Sequence, residues 1–275
     1  MKMLVTGADG NVGSYVPDVL GKDYDLVLTD VSTWDIRVMP DWVRDRPDVI
    51  LHLAAATDVD ACEQNPEWAH AVNALGTMNV AKVAASMGAF LVYVSTAGVF
   101  SGTKIDPYDE TDIAIPANEY GLSKLWGEWE VERTLPSDQF AIVRAGWMYG
   151  GPNDKKFVAK MRDQIEAGAD TLYAVDDKVG SPTYAKDLVA LIGRLLKAEA
   201  TGLFHGAGGG VASRFEVAQR VARRYPDVEV IPASSDRFPL PAPRADNESM
   251  VSLNLPLVGV EPCRPWEDAL AEYLG

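Results

Sequence analysis

The sequence is poor in cysteine and has no long apolar run, and both absences narrow the classes of protein to which it can belong. Its 275 residues include two cysteines, Cys62 and Cys263, which lie far apart and resemble neither a redox motif nor a zinc site. No stretch of about 18 apolar residues is present, so we expect no membrane-spanning helix. An apolar segment begins at once, without the features of a secretory signal. The predicted location is a reducing cytoplasm.

Positive charge is also scarce. Lysine and arginine together number 25 against 40 acidic residues, and the formal net charge is −15. Because such a surface repels a phosphate backbone, we do not expect a nucleic-acid partner. Any basic residue that contacts a bound nucleotide must then act locally, against the negative electrostatic field of the whole chain. Hydrophobic residues make up 47% of the chain, enough for a large core in one domain or two interleaved ones.

Glycine, in contrast, is placed regularly at the beginning of the chain. Residues 2–6 are predicted to form a buried parallel strand that runs into Gly7, Gly10 and Gly13. Gly7 permits a tight turn, Gly10 lets the backbone approach a diphosphate, and Gly13 lets the next helix pack on the strand. With Asn11 and Val12, these glycines are the predicted cofactor-binding turn. An ordinary strand-to-helix turn is the alternative, and Pro17 is expected to kink or shorten the helix predicted over residues 11–20.

A second strand, predicted over residues 24–29, ends on Asp30, which lies 20 residues after Gly10. A dinucleotide-binding fold places there the acid that accepts the ribose hydroxyls of the adenosine. A helix-capping or turn aspartate is the alternative. Asp35 and Ile36 are candidates to flank the adenine, whereas Arg37 is placed to meet a 2′-phosphate. Asp30 favours NADH because a carboxylate repels that phosphate, but both NADH and NADPH remain open.

Further strands and helices alternate along the chain. Residues 47–56 are predicted to form a buried strand that runs into Ala54, Ala55 and Ala56, small residues suited to a backbone beside a cofactor. Within it, His52 is interpreted as a hydrogen-bonded core residue. A long helix over 66–87, ended by Gly88, and a strand over 89–95 follow. The alternation predicts an α/β fold with a doubly wound parallel sheet of the Rossmann type.

The candidate catalytic residues follow the carboxyl end of that last strand. Ser95 and Thr96 end it, and Tyr120 and Lys124 lie 24 and 28 residues after Thr96. A spacing of four places the phenol and the ammonium on one face of a helix. A tyrosine side chain titrates near pH 10, so a nearby cation is needed to favour its phenolate, and Lys124 is placed to supply it.

These motifs together resemble those of the extended short-chain dehydrogenase/reductases, most closely the dTDP-4-dehydrorhamnose reductase branch. The resemblance covers nearly the whole chain. Its segments are 6–13, Asp30, 47–50, 54–60, 71–77, 95–96 with 99–102, 120–124, 144–150, 179–183 and 241–244 with Asn247. It implies an NAD(P)-binding Rossmann domain over residues 1–150 and a smaller substrate-binding lobe over 151–275, partly interleaved with the first. Relatives are often homodimers through a paired-helix face.

The resemblance also implies the chemistry, which is reduction of a 4-keto-6-deoxy sugar attached to a nucleoside diphosphate. In this implied scheme Tyr120 donates a proton to the sugar oxygen, Lys124 holds the cofactor ribose and lowers the pKa of the tyrosine, and Thr96 hydrogen-bonds the substrate oxygen. Trp147 is expected beside the sugar ring and Arg244 near the nucleotide end.

Two departures and two alternatives accompany the resemblance. The branch usually has Asp-Tyr where this chain has Ala97 and Gly98, so we expect the substrate contacts at Ala97 to differ. The same change argues against a sugar 4,6-dehydratase. The second departure is that the Arg-Pro-x-Asn pattern of the family reads Arg244-Ala245-Asp246-Asn247 in this chain. A nucleotide-sugar epimerase, and a non-catalytic subunit like the regulatory subunit of methionine adenosyltransferase, are the alternatives. No metal site is predicted, because Asp176 and Asp177 are interpreted as solvated loop carboxylates.

Overall fold

A six-stranded parallel sheet forms the centre of the computed structural model, which describes residues 1–40 and 46–275. The strands are β1 Lys2–Thr6, β2 Asp25–Thr29, β3 Val49–His52, β4 Phe90–Thr96, β5 Phe140–Ala145, β6 Trp147–Tyr149, β7 Thr171–Val175, β8 Val179–Gly180, β9 Pro182–Tyr184, β10 Gly202–Gly206, β11 Ala212–Ser213, β12 Glu229–Ala233 and β13 Asn247–Glu248. The central sheet has the order β10-β5-β4-β3-β1-β2. Every pair in it is parallel, which confirms the predicted Rossmann-type α/β fold.

Helices cover both faces of this sheet. They are α1 Val16–Leu20, α2 Val59–Gln64, α3 Pro66–His70, α4 Thr77–Met87, α5 Glu119–Thr134, α6 Phe157–Glu166, α7 Ala185–Lys197, α8 Arg214–Ala222, α9 Asn254–Leu257 and α10 Trp266–Leu274. Alternate residues of a strand point to opposite faces, so Met3 and Val5 pack with α1 and α7, whereas Leu4 packs with α4. None of the described helices is long and apolar enough to cross a membrane.

The second half of the chain contributes to both parts of the molecule. Strand β10 extends the central sheet beside β5, and α7 packs on α1. The remaining elements form small sheets, β7 with β12, β6 with β9, and β8 between β11 and β13. Helices α6, α8 and α10 share an apolar cluster with residues of these strands. The chain beyond residue 150 therefore crosses back into the sheet before it completes the lobe.

Two predicted helices are interrupted in the structure. The segment over 11–20 consists of a 3₁₀ turn, Gly13–Tyr15, followed by the short α1, which has Pro17 in its first turn. The missing N–H of proline explains this break. The long helix over 66–87 begins with α3 and ends with α4, but a π-helical turn, Ala71–Gly76, lies between them. Gly88 ends it with a φ of 67°, as predicted.

Candidate active site

The three predicted catalytic residues come together at the carboxyl end of β4. Thr96 is the last residue of that strand, and Tyr120 lies in the first turn of α5. The Asn118 side chain caps α5 by accepting a 2.9 Å hydrogen bond from the amide of Gly121. Thr96 and Tyr120 lie side by side, since Thr96 Oγ1 and Tyr120 Cδ1 would lie 3.4 Å and 3.6 Å from a Cβ built at Gly98. Strand end and helix start thus bring the two side chains together.

The Tyr120 phenol is held in its protonated form. Burial raises the pKa of this phenol to about 12. The Thr96 hydroxyl acts to lower that pKa, and the nearby Cys62 and Glu248 act to raise it further. The lowering influence therefore comes from Thr96, where sequence reasoning expected it from Lys124. A phenol of this kind stores a proton that it can donate when negative charge develops beside it.

Lys124 lies one turn further along α5 and is 3% exposed. Its Nζ donates a 2.9 Å hydrogen bond to the carbonyl of Val94 and lies 4.2 Å from the centre of the Tyr93 ring. Burial lowers the pKa of this ammonium to about 7, and Glu128 acts in the opposite direction. Lys124 is therefore a buried amine, about half of it charged at pH 7, that faces the strand ending at Thr96.

Ala97, which is predicted to contact the substrate, is buried. It begins a 3₁₀ turn after β4, is 2% exposed, and belongs to an apolar cluster with Val99 and Phe100. Its contact with a substrate stays a prediction. The turn is held by Thr96, whose Oγ1 accepts a 3.1 Å hydrogen bond from the amide of Gly98.

The glycine turn has the close approaches that sequence spacing predicted. Gly7 has a φ of 69°, and a Cβ there would lie 2.7 Å from the nitrogen of Ala54. A Cβ at Gly13 would lie 2.4 Å from the carbonyl oxygen of Gly7. Among the hydrogen bonds of the described residues, none uses the amide of Asn11 or Val12. This backbone fits the diphosphate of a dinucleotide, which needs close approach and free N–H donors.

The adenosine end of the predicted cofactor site is formed after β2. Asp30 is partly exposed, and its Oδ1 accepts hydrogen bonds from the amides of Ser32 at 2.8 Å and Thr33 at 3.1 Å. These bonds lower the pKa of the Asp30 carboxyl, with the hydroxyl of Ser32 contributing most. Asp30 is thus a turn aspartate at the position predicted for a ribose ligand.

Asp35, Ile36 and Arg37 follow at the same edge. Arg37 forms a bidentate ion pair with Asp35, with its Nε 2.9 Å from Oδ1 and Nη2 2.6 Å from Oδ2. Ile36 is 5% exposed and packs beneath the helix that contains Gly76, where a Cβ would lie 2.8 Å from its Cδ1. The structure therefore neutralises the arginine that sequence reasoning offered to a 2′-phosphate.

The small residues after β3 are held by a residue that sequence reasoning did not single out. Asn73 is fully buried in the π-helical turn, and its Oδ1 accepts from the amide of Ala56 at 2.8 Å. Its Nδ2 donates to the carbonyl of Ala56 at 3.0 Å and to the hydroxyl of Ser123 at 2.9 Å. Asn73 thus links the segment after Ala54 and Ala55 to α5. It lies in a π-helical turn, a feature that often marks functional sites but that only the structure reveals.

His52 occupies the interior of the sheet, as predicted. Its two ring nitrogens pair with Thr6 Oγ1 at 2.7 Å and Thr77 Oγ1 at 3.0 Å. Burial lowers its pKa to about 3, so the ring is neutral at physiological pH.

Trp147 contacts residues that follow it in the second half of the chain, namely Gly180, Arg214 and Glu248. Its Nε1 donates a 2.7 Å hydrogen bond to Glu248, and a Cβ at Gly180 would lie 2.3 Å from its ring. The Arg214 guanidinium lies 3.8 Å from the ring centre. Glu248 acts electrostatically on both Tyr120 and Arg214, so these groups lie in one region of the molecule. Neither Glu248 nor Arg214 was predicted, since no sequence spacing relates them to the motif residues.

Arg244 is already paired in the structure. Its Nη2 lies 2.9 Å from Oδ1 of Asp60, and its Nη1 donates to the carbonyl of Ala242 at 2.7 Å. Further along the lobe, Asp176 accepts from the hydroxyl of Ser213, and Asp177 from Ser234 and Ser235. Within residues 1–40 and 46–275, no group of three or more His, Cys, Asp and Glu side chains has the arrangement of a metal site.

The chain is similar to known proteins in both sequence and structure. The family model described as the RmlD substrate binding domain matches residues 1–275. The dTDP-4-dehydrorhamnose reductase of Mycobacterium tuberculosis strain ATCC 25618 / H37Rv is 38% identical, over 99% of this chain and 92% of that protein. A crystal structure of a dTDP-4-dehydrorhamnose reductase from Clostridium acetobutylicum has a TM-score of 0.94, 34% identity and coverage of 100% and 98%. One from Bacillus anthracis str. Ames, in complex with NADP, has a TM-score of 0.94, 33% identity and coverage of 99% of each chain.

Proposed function

We infer that this chain, which belongs to the RmlD substrate binding domain family, is an NAD(P)H-dependent reductase of a nucleotide-linked 4-keto-6-deoxy sugar, like dTDP-4-dehydrorhamnose reductase. The observation that carries the proposal is the grouping of Thr96, Tyr120 and the buried Lys124 at the carboxyl end of a Rossmann sheet. Ligands of such sheets bind beyond the carboxyl ends of the strands.

The chemistry follows from the states of these three groups. When bound, a reduced nicotinamide supplies the hydride that converts a ketone to an alcohol. Charge then develops on the ketone oxygen, and the Thr96 hydroxyl hydrogen-bonds that oxygen. Tyr120, protonated through the neutral range, donates its phenolic proton to it. Lys124, whose Nζ donates to the Val94 carbonyl, would hold the cofactor ribose and, in its charged form, would stabilise the phenolate that remains.

The glycine turn after β1 and the neighbouring strand ends would hold the dinucleotide. The proposed cofactor contacts are those predicted from sequence: Gly7, Gly10, Asn11, Val12, Gly13, Asp30, Asp35, Ile36, Ala54, Ala55, Ala56, Tyr120 and Lys124. On the opposite side Trp147 is proposed to lie beside the sugar ring. The division at residue 150 is part of the same proposal, with the cofactor in the first part and the sugar nucleotide against the second.

We propose a preference for NADH. Asp30 places a carboxylate where NADPH carries its 2′-phosphate, and Arg37, the nearest candidate partner for that phosphate, is neutralised by Asp35. The Bacillus anthracis relative was solved with NADP. Both cofactors therefore belong in every assay of this protein.

We also propose a cytoplasmic homodimer. Both cysteines are free and buried, as a reducing compartment allows. Helix α5 exposes Trp126 and Trp129, which are 43% and 52% exposed, and Leu75 nearby is 53% exposed. Large exposed apolar side chains on one helix face favour an interface between copies. Light scattering after size exclusion is expected to give twice the mass of one chain, and Trp129→Glu to give a monomer.

The activity test uses purified protein, NADH or NADPH, and dTDP-4-keto-6-deoxy sugar. Consumption of the reduced cofactor is expected to equal the alcohol formed, whereas an epimerase produces no net oxidation of added cofactor. Tyr120→Phe is expected to lose at least 100-fold in kcat, in the range found for removal of a general acid. Circular dichroism shows whether that variant is folded. Full activity of folded Tyr120→Phe would contradict the assigned mechanism.

A further inference from the structure

We propose that Arg214 binds the diphosphate of the substrate nucleotide, and that Arg244 instead holds its own loop against α2. This inference rests on the proposed function. It reverses the expectation from sequence, which placed Arg244 at the nucleotide end and gave Arg214 no role.

Arg214 is a cation without a carboxylate partner. In the part of the chain that the structure describes, no acidic side chain lies within ion-pair distance of its guanidinium. The group instead stacks 3.8 Å from the centre of the Trp147 ring and 4.8 Å from that of Phe157. Burial lowers its pKa to about 10, in spite of Glu248 nearby, so the desolvated charge is only partly compensated. A partly buried, unpaired guanidinium between two aromatic rings is a prepared site for an anion.

Two further cations lie near Arg214. Arg244 and Lys156 are both close enough to interact with it electrostatically. Carboxylates accompany these cations, since Glu248 acts on Arg214, Asp58 and Asp154 act on Lys156, and Asp60 pairs with Arg244. The case for an anion therefore rests on the guanidinium of Arg214 itself, which is stacked on Trp147 and has no ion-pair partner among the described residues.

Substrate geometry places a diphosphate in this region. In a nucleotide-linked 4-keto sugar, C4 and the anomeric carbon stand across the ring from each other, so the diphosphate leaves the end remote from the ketone. The ketone oxygen belongs at Tyr120. Arg214 stacks on Trp147, the residue proposed to lie beside the sugar ring, so its guanidinium is next to the proposed sugar position.

Arg244 has a different set of contacts, all of which are structural. Its guanidinium bridges Asp60 on α2 and the Ala242 carbonyl, and Asp60 also accepts from the amide of Ala242 at 3.1 Å. The Arg244 carbonyl accepts from Lys178 at 3.0 Å. A carboxylate that already satisfies Arg244 competes with any phosphate for it. The ion pair thus fastens the loop, and the phosphate is left to Arg214.

The test measures binding of thymidine diphosphate and of thymidine by calorimetry, without turnover. Arg214→Met keeps an apolar stem on Trp147 but removes the charge. It is expected to weaken thymidine diphosphate binding at least 10-fold and thymidine binding less than twofold, with Arg214→Lys intermediate. NADH affinity should not change. Arg223→Met, which removes an exposed arginine just after α8, is the matched control and is expected to bind like the unaltered protein.

Arg244→Met separates the two roles. It is expected to lower the melting temperature and to weaken both ligands by similar factors, since it releases the loop. The inference is overturned if the phosphate-specific loss appears in Arg244→Met and not in Arg214→Met, or if the unaltered protein does not bind thymidine diphosphate. Arg214-dependent binding without reduction of any keto sugar would refute the proposed function alone. Reduction of the sugar with unchanged binding in Arg214→Met would refute this inference alone.

Discussion

Gly121 and Gly98 are in backbone contact: a Cβ at position 121 would lie 1.9 Å from the carbonyl oxygen of Gly98. Gly121 follows Tyr120 in α5, and Gly98 lies in the turn after Thr96. The absence of a side chain at Gly121 lets the helix approach the turn closely enough to bring Tyr120 beside Thr96. A Cβ at Gly98 would make only ordinary contacts, 3.4 Å from Thr96 Oγ1 and 3.6 Å from Tyr120 Cδ1, so the close approach depends on Gly121.

Gly121→Ala is therefore expected to separate Tyr120 from Thr96. A displacement of about 1 Å costs on the order of 100-fold in rate when it affects reacting groups. We expect kcat to fall by about that factor while the KM of the cofactor changes little. Steady-state kinetics measures both. Glu132→Ala, at an exposed position of the same helix, is the control, and equal kinetics for the two variants would show that the contact is not needed.

Asp30→Ala is expected to shift cofactor preference toward NADPH. Removal of the carboxylate abolishes repulsion of the 2′-phosphate, so the ratio of kcat/KM for NADPH to that for NADH should rise about 10-fold or more. Asp25→Ala, at the exposed beginning of the same strand, serves as control. A constant ratio would assign the preference to Arg37 or to the backbone.

His52 is expected to make the protein sensitive to acid. Its pKa is about 3 in the folded protein, against 6.5 for an unperturbed histidine, so the unfolded chain binds more protons between those values. The contribution of neutral His52 to the free energy of unfolding is complete above pH 6.5. It is lost as the pH falls toward 3, at a rate of at most about 1.4 kcal/mol per pH unit. Urea unfolding at pH 5, 6 and 7 measures it, and His52→Gln should flatten the slope. An unchanged slope would mean that other groups cause it.

The buried Arg144–Glu128 pair is expected to be sensitive to loss of one partner. Its two hydrogen bonds, from Nε at 2.9 Å and Nη2 at 2.7 Å, join β5 to α5. Arg144→Met removes the ion-pair partner of the buried Glu128, which then has only the electrostatic influence of Lys124, and should lower the free energy of unfolding by about 3–5 kcal/mol. Arg133→Met breaks the exposed pair with Glu130 on the same helix and should cost at most about 1 kcal/mol. Equal losses in urea titrations would argue against the burial effect.

The sequence predicted the parts of the site that depend on local spacing. Gly7, Gly10 and Gly13 follow a strand, and Tyr120 and Lys124 share a helix face because they lie one turn apart, so short-range geometry was enough. Helix continuity was harder to predict. The break at the π-helical turn arises where Asn73 satisfies the backbone of Ala56, and the local pattern of apolar residues contains no trace of that contact.

The α/β class, the glycine turn and the pair of Tyr120 and Lys124 were thus determined by the sequence alone, since strand and helix periodicity express them within a few residues. Only the tertiary structure decided how charge is distributed around them. It paired Arg244 with Asp60, placed Ala97 in the core, and brought Arg214 onto Trp147 from 67 positions further along the chain. A side chain's partners depend on packing between distant segments, and that packing determines which cations remain available to a ligand.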